Sequence, residues 1–230
     1  MKKKRVFIVG MGSTGEEACQ FIEKYDLFEV AGFAVNKEYL NCESFLNKKV
    51  YAIENLDAII KEDDLVFVAI LWNHLNANRK MVFEQLKKAG YHFANLVAPS
   101  AIVEGELLGE NCWIGDKAFV RKHVKIEDNV FIMQCAFVGQ RTELCAHSFV
   151  AAAAVVGGSV IVGQQSFIGL NSTVLDHTII GEKCIVGAGT VLRRNLPNCH
   201  VVKFEPNAMV IREYPEDVIE EKLVVSENVR

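Results

Sequence analysis

Apolar residues recur along the chain in two rhythms, and the change between them falls near residue 100. In the first stretch, compact β-branched or aromatic runs alternate with segments of helical spacing. "KRVFIVG", "FEVAGFAV", "DLVFVAIL" and "YHFANLVA" read as four strands. "EEACQFIEKY", "IENLDAIIKED" and "NANRKMVFEQLKKAG" read as helices between them, the last capped by Gly90. Such alternation predicts a parallel sheet covered by helices.

From Ile102 onward the rhythm is six. Every sixth residue from Ile102 to Leu192 is Ile, Leu or Val, sixteen positions in all. Glycine often follows, as at 109, 115, 139, 157, 163, 169, 181 and 187. Four places after the aliphatic stands a small or short residue such as Cys112, Ala118, Ser148, Ala154, Ser166, Ser172 or Thr190. Neither a helix nor an ordinary strand has this period. A coil of flat faces joined by tight corners does, because each face sends one aliphatic inward. The expected domains are 1–98 and 99–230, with "PEDVIEEKLV" as a short closing helix.

Composition narrows the classes. The chain has 230 residues, a net charge of −4 and half its residues hydrophobic, so a nucleic-acid partner, which asks for a dense basic face, is not expected. No run of 18 apolar residues occurs, so no membrane partner is expected either. "MKKKRVFIVGMG" imitates a signal peptide, but its apolar run is short and meets Glu16 and Glu17, so it reads as the first strand. The seven cysteines contain no C-x-x-C pair. They read as reduced, buried residues of a cytoplasmic protein, with no metal site expected.

Gly10-Met11-Gly12-Ser13-Thr14-Gly15 follows the first strand and opens a helix. Its glycines suit a tight turn, close backbone approach to a phosphate and close helix–strand packing. An NAD site also asks for Asp or Glu after the second strand, where the chain reads "AVNKEY" with Asn36. A nucleotide sugar is the expected ligand, with NAD or a turn kept only for packing as the other readings.

The hexad pattern resembles the hexapeptide-repeat, left-handed parallel β-helix, which has three six-residue faces per coil. Together with the first half, it makes the whole chain resemble bacterial sugar acyltransferases of the sialic-acid O-acetyltransferase and UDP-amino-sugar N-acetyltransferase type. The fold implied is an α/β Rossmann-like N-terminal domain followed by an all-β left-handed parallel β-helix. "FIVGMGSTG", "GFAVNKEYL", "WNHLNANR", "FIGLNSTVLDHTIIGEKCIVGAGTVL" and "NAMVIREY" carry the resemblance. It implies transfer of an acyl group from acetyl-CoA, or a related acyl-CoA, to a nucleotide-linked sugar, in surface-glycan assembly. It also implies a homotrimer with CoA in grooves between neighbouring β-helices. Nucleotide-sugar contacts would fall on Gly10, Gly12, Ser13, Gly15, Asn36, Lys37, Asn73 and Arg79, with Asn76 in the same polar pattern. Asn73 and Asn76 could equally be helix caps, and Arg79 a solvated helix residue. CoA contacts would fall on Ala151, Gly157, Gly158, Gly169, Gly187, Arg193 and Arg194, with close coil packing an equal explanation of Ala151 to Gly158. A Pro-Ala-Lys that the resemblance implies near the end reads Asn207-Ala208-Met209 here.

The resemblance implies a catalytic histidine and a neighbouring orienting residue where this chain has Gln140 and Arg141, and a second histidine where it has Phe149. Glutamine takes no proton at neutral pH, although it can hold an acceptor or a carbonyl by hydrogen bonds. Three readings remain at this stage. An amine that arrives neutral attacks the thioester directly, helped by positioning. Alternatively another group is the base: His147, His177, Asp176 or Glu143, in this chain or from a trimer neighbour. Or the chain is a silent homologue that binds a ligand or partner. Gln140 and Asp176 stand two coils apart, about 9–10 Å, which predicts no direct contact.

Overall fold

The computed structural model describes residues 3–205 and 208–219. It divides into two compact units, one of residues 1–71 and 81–96, the other of residues 72–80 and 97–230.

The first unit is built on β1 (Arg5–Val9), α1 (Ser13–Lys24), β2 (Glu29–Val35), β3 (Ser44–Phe45), β4 (Lys48–Ala52) and β5 (Leu65–Val68). The sheet order is β3-β4-β2-β1-β5. β1 runs parallel to both β2 and β5, and β2 parallel to β4. Val6, Phe7, Ile8 and Val9 are at most 1% exposed, as expected of a central strand covered on both faces. Three details differ from the sequence expectation. "YHFANLVA" adds only a single bridge to this sheet, Val66 to Phe93, and its one strand, Leu96–Val97, is a two-residue piece of another sheet. "IENLDAIIKED" forms only a 3-10 segment, Ile53–Ala58. The β3–β4 hairpin was not expected, and its turn places Leu46 and Asn47 at φ of 49° and 59°. The helix α2 (Ala77–Lys88) ends before Gly90, whose φ of 90° is the left-handed cap the sequence predicts.

The second unit is a parallel β-helix. Two-residue strands stack into three sheets whose partners lie one coil apart, as in Phe137↔Val155 and Val155↔Thr173. This arrangement is consistent with the left-handed β-helix expected. Fourteen ladder aliphatics, from Ile114 to Leu192, form one core in which each is at most 1% exposed. The two earliest ladder positions slip. Val120 pairs with Val103 and Ile126 with Leu107, which leaves Ile102 54% and Leu108 61% exposed. The first coil therefore draws its inward residues from the neighbouring positions.

From Asn111 to Gly189 each corner holds one residue in the left-handed region, so equivalent corners form columns. One column is Asn111, Asn129, His147 and Gln165; another is His123, Arg141, Ser159 and His177. Short hydroxyl side chains tie coil to coil. Thr142 Oγ1 donates to Gly157 O at 2.8 Å and accepts from Val160 N at 3.2 Å. The stack ends in a hairpin. His200–Glu205 runs parallel to Ile185–Val186 and antiparallel to Ala208–Glu213. Of the expected closing helix, Glu216–Ile219 is described; its remainder and Asn207 lie outside the described residues.

Among the described residues no helix is long and apolar enough to cross a membrane, and no three His, Cys, Asp or Glu are grouped to hold a metal. All seven cysteines are free thiols. Cys19, Cys112 and Cys184 are buried, Cys42, Cys145 and Cys199 are half-buried, and Cys135 is exposed, so the expected burial holds for three.

Candidate active site

The corner after Phe137–Val138 carries Gly139, Gln140 and Arg141. One coil on, Gly157, Gly158 and Ser159 occupy the same corner, and one coil further, Leu175, Asp176 and His177. The backbone keeps the column in step, with Ser159 N donating to Gln140 O at 2.8 Å and His177 N to Gly158 O at 2.9 Å. Around this corner opens a pocket of about 380 Å³, lined by Gln140, Arg141, Gly157, Gly158, Asp176 and His177, with Arg121, Phe137, Gly139 and Ser159 at its edges.

The glycine pair makes the pocket. A Cβ on Gly157 would stand 2.5 Å from Asp176 Oδ1, and one on Gly158 3.3 Å from Gln140 O. With no side chain at 158, Gln140 and Asp176 on the flanking coils share one cavity across the gap. Asp176 Oδ1 also accepts the Gly158 N–H at 2.5 Å. The two-coil separation expected from the sequence stands, but the empty middle position turns it into a cleft. Arg121 lies within 3.3 Å of a Glu104 oxygen, whereas Arg141 has no ion pair among the described residues.

His147 is elsewhere. It is 4% exposed and belongs to the buried polar column. Asn111 Nδ2 donates to Asn129 Oδ1 at 2.8 Å, and Asn129 Nδ2 meets His147 Nδ1 at 3.0 Å. As an amide N–H donates in that pair, Nδ1 accepts and the ring proton sits on Nε2. An imidazole so enclosed does not reach the pocket.

Arg79 corrects the sequence reading most clearly. It is fully buried, against an expectation of nucleotide contact or a solvated face. Its guanidinium lies 3.9 Å from the centroid of Phe131, and Nη2 donates to the carbonyls of His147 at 3.1 Å and Ser148 at 3.3 Å. Burial lowers its pKa to about 9, so it remains a cation at neutral pH. Asn76, also fully buried, donates through Nδ2 to Gln165 O at 3.4 Å. Asn73 is half-buried in the turn before α2.

The remaining expected CoA contacts divide by column. Ala151, Gly169 and Gly187 stack at a different corner, and a Cβ on Gly169 would meet Ala188 N at 2.6 Å, so coil packing alone demands that glycine. Arg193 and Arg194 are exposed and follow the strand pair Thr173↔Val191 and Val174↔Leu192, one coil past Leu175 and Asp176.

In the first unit the glycines of the loop meet different surroundings. Gly10 has a φ of 114°, and a Cβ there would meet Ala69 O at 2.8 Å. A Cβ on Gly15 would stand 2.2 Å from Gly10 O, whereas Gly12 faces open space. Gly12 caps α1 with no side-chain hydrogen bond, and Ser13 is exposed at its first position. Lys37 N donates to both carboxylate oxygens of Glu54, at 3.2 and 3.1 Å, beside Asn36. Glu54 thus stands beside Asn36 from a segment seventeen residues past Lys37, which sequence spacing does not reveal.

The family described as hexapeptide repeat of succinyl-transferase matches residues 159–194. No curated protein matches the chain in sequence. Among solved structures, the chain is similar to PerB from Caulobacter crescentus in complex with CoA and GDP-perosamine. Identity is 25% and the TM-score 0.78, over 90% of this chain and 96% of that one. A histidine-to-asparagine mutant of perosamine N-acetyltransferase from the same organism, also with CoA and GDP-perosamine, gives 24% and 0.80 over 91% and 97%. The acetyltransferase domain of PglB from Neisseria gonorrhoeae gives 20% and 0.77 over 88% and 98%. What the chain shares with these sugar-modifying enzymes is the fold along almost its whole length, with a hexapeptide repeat at the heart of it.

Proposed function

We propose that the chain is an acyl-CoA-dependent N-acyltransferase, with acetyl-CoA the first candidate donor and a nucleotide-linked amino sugar the acceptor, serving surface-glycan assembly. One observation carries this reading: the pocket around Gln140, Arg141, Gly158 and Asp176 stands in a hexapeptide fold whose solved relatives hold CoA and GDP-perosamine. Its volume lies in the range of small-molecule sites, and its donors suit a thioester carbonyl. Gln140 Nε2 and the Arg141 guanidinium can donate to the carbonyl oxygen as charge develops there. Neither removes a proton, which favours an amine over a hydroxyl as nucleophile. A general base contributes roughly 10²–10⁴-fold, and positioning, with effective molarities of about 10⁵ M or more, can exceed that.

The loop of Gly10, Gly12, Ser13 and Gly15 is the proposed nucleotide holder, with Asn36 and Lys37 beside the Glu54 carboxylate. A homotrimer fits the outward row of the six-stranded face. Ile102, Phe119, Phe137, Val155, Thr173 and Val191 form a row there that is apolar but for Thr173, with Val155 40% and Val191 42% exposed. Phe137 also borders the pocket, so a second copy on this stripe would complete a cleft.

Thiol release from acetyl-CoA with GDP-, UDP- and dTDP-linked amino sugars tests the reading. At least one amino sugar is expected to turn over, about 10²-fold or more faster than its hydroxyl counterpart. Silence toward the whole panel, with no CoA bound in calorimetry, overturns the proposal.

A further inference from the structure

Asp176 is tied into the stack by a contact that does not need its charge. Its Oδ1 accepts the Gly158 N–H at 2.5 Å. The same coil-to-coil contact recurs where Asp128 Oδ1 accepts Glu110 N–H at 2.9 Å, and where Asn198 Oδ1 accepts Glu182 N–H at 3.0 Å. Asparagine therefore serves the stack, and the negative charge at 176 is surplus to it. The second carboxylate oxygen has no hydrogen-bond partner among the described residues, and Asp176 is exposed on the pocket wall. His177, next in the chain, lines the same pocket.

We propose that Asp176 is the subsite for the acceptor's ammonium group, and that His177 takes the proton the nitrogen must lose before it attacks. The inference rests on the acyl-transfer reading and supplies what that reading lacks, a route from ammonium to free amine. The acceptor enters as R–NH₃⁺ against the carboxylate. One proton passes to the His177 imidazole, and the freed lone pair forms the C–N bond at the thioester carbonyl carbon. The C–S bond breaks and CoA leaves as a thiolate. Of the two protons the nitrogen loses in reaching the amide, one ends on the thiol and one in solvent, so the sum is R–NH₃⁺ plus thioester giving amide, thiol and H⁺. The charged or titratable groups facing the amine are Asp176, His177, Arg121 and Arg141. Arg121 is paired with Glu104, so Arg141 is the cation that opposes the ammonium and is free to face the carbonyl oxygen instead.

The test uses the full chain saturated with CoA. Wild type, Asp176→Asn and His177→Gln are titrated by calorimetry with GDP-perosamine and with UDP- and dTDP-linked amino sugars, each beside its hydroxyl counterpart. Asp176→Asn keeps the acceptor for Gly158 N–H, as Asn198 does naturally, so its melting temperature should match wild type. It is expected to weaken the best amino sugar at least about tenfold while leaving the hydroxyl counterpart within about twofold. His177→Gln is expected to bind normally but lose about 10²-fold in kcat at pH 7. That loss should shrink toward pH 9, as the acceptor deprotonates by itself. Equal amino-sugar affinity in wild type and Asp176→Asn overturns the subsite, as does failure of every amino sugar to bind. An undiminished kcat in His177→Gln at pH 7 overturns the proton route. Asp176-dependent amine binding without any thiol release sustains the subsite and sinks acyl transfer alone.

Discussion

Changing Val156 to aspartate is expected to unfold the β-helix, while the same change one residue earlier, at Val155, leaves it folded. Val156 is fully buried between Val138 and Val174 in the inward ladder. The substitution forfeits about 1.5–3 kcal/mol of apolar burial. It also strands a carboxylate among aliphatics, at a cost of several kcal/mol more. The sum, about 5 kcal/mol or more, is comparable to the whole stability of a domain at the lower end of the usual range of roughly 5–15 kcal/mol. Val155 faces outward and is 40% exposed, so a carboxylate there keeps its water. Circular dichroism melts should show no cooperative β transition for Val156→Asp and a native spectrum for Val155→Asp. Because Val155 lies on the proposed trimer stripe, Val155→Asp should sediment as a monomer at concentrations where wild type associates. A folded Val156→Asp protein would falsify the ladder; a Val155→Asp protein that associates as wild type does would remove the stripe from the interface.

Arg79→Ala is expected to lose about 3–5 kcal/mol of stability in urea unfolding. The guanidinium is an internal strut. Stacking over Phe131 at 3.9 Å is worth about 2 kcal/mol or more in so dry a place. Its two carbonyl acceptors at 147 and 148 would each be left short of a donor, at about 1–3 kcal/mol. Arg79→Lys should recover less than half of the loss, since an ammonium does not stack as a plane over Phe131. Folded and unfolded forms both hold the proton well below pH 9, so the deficit should be flat across neutral pH. A loss under about 1 kcal/mol would show the arginine to be replaceable filling.

These two residues mark what a bare sequence reveals. Val156 is legible because one aliphatic per face is a demand of the fold, repeated without exception from Ile114 to Leu192. The slip at Ile102 and Leu108 is not legible, because those residues satisfy the period perfectly and only the shorter first turn displaces them. Arg79 reads as a helix surface because its own neighbours say nothing of what covers it. A signal lies in Phe131, Phe149 and Phe167, eighteen apart, which line up coil on coil into an aromatic row that can face a planar cation. His147 likewise shares its column with Asn111, Asn129 and Gln165, a spacing that marks a buried polar row rather than a base. The pocket was half legible. Gln140 stands out in the sequence as a glutamine where a base is expected, but the gap that joins it to Asp176 is made by a glycine on the coil between, and glycines are everywhere in such a repeat.

The hairpin at the end of the stack has a consequence for how the molecule ends. A pile of identical coils has no natural last member, and its final rung offers a template on which another pile could grow. Here the chain folds back after Glu205 and lays Ala208–Glu213 in the opposite direction beside His200–Glu205. An arriving rung on that face meets a strand of reversed polarity, so the parallel register of the coils does not continue past it there.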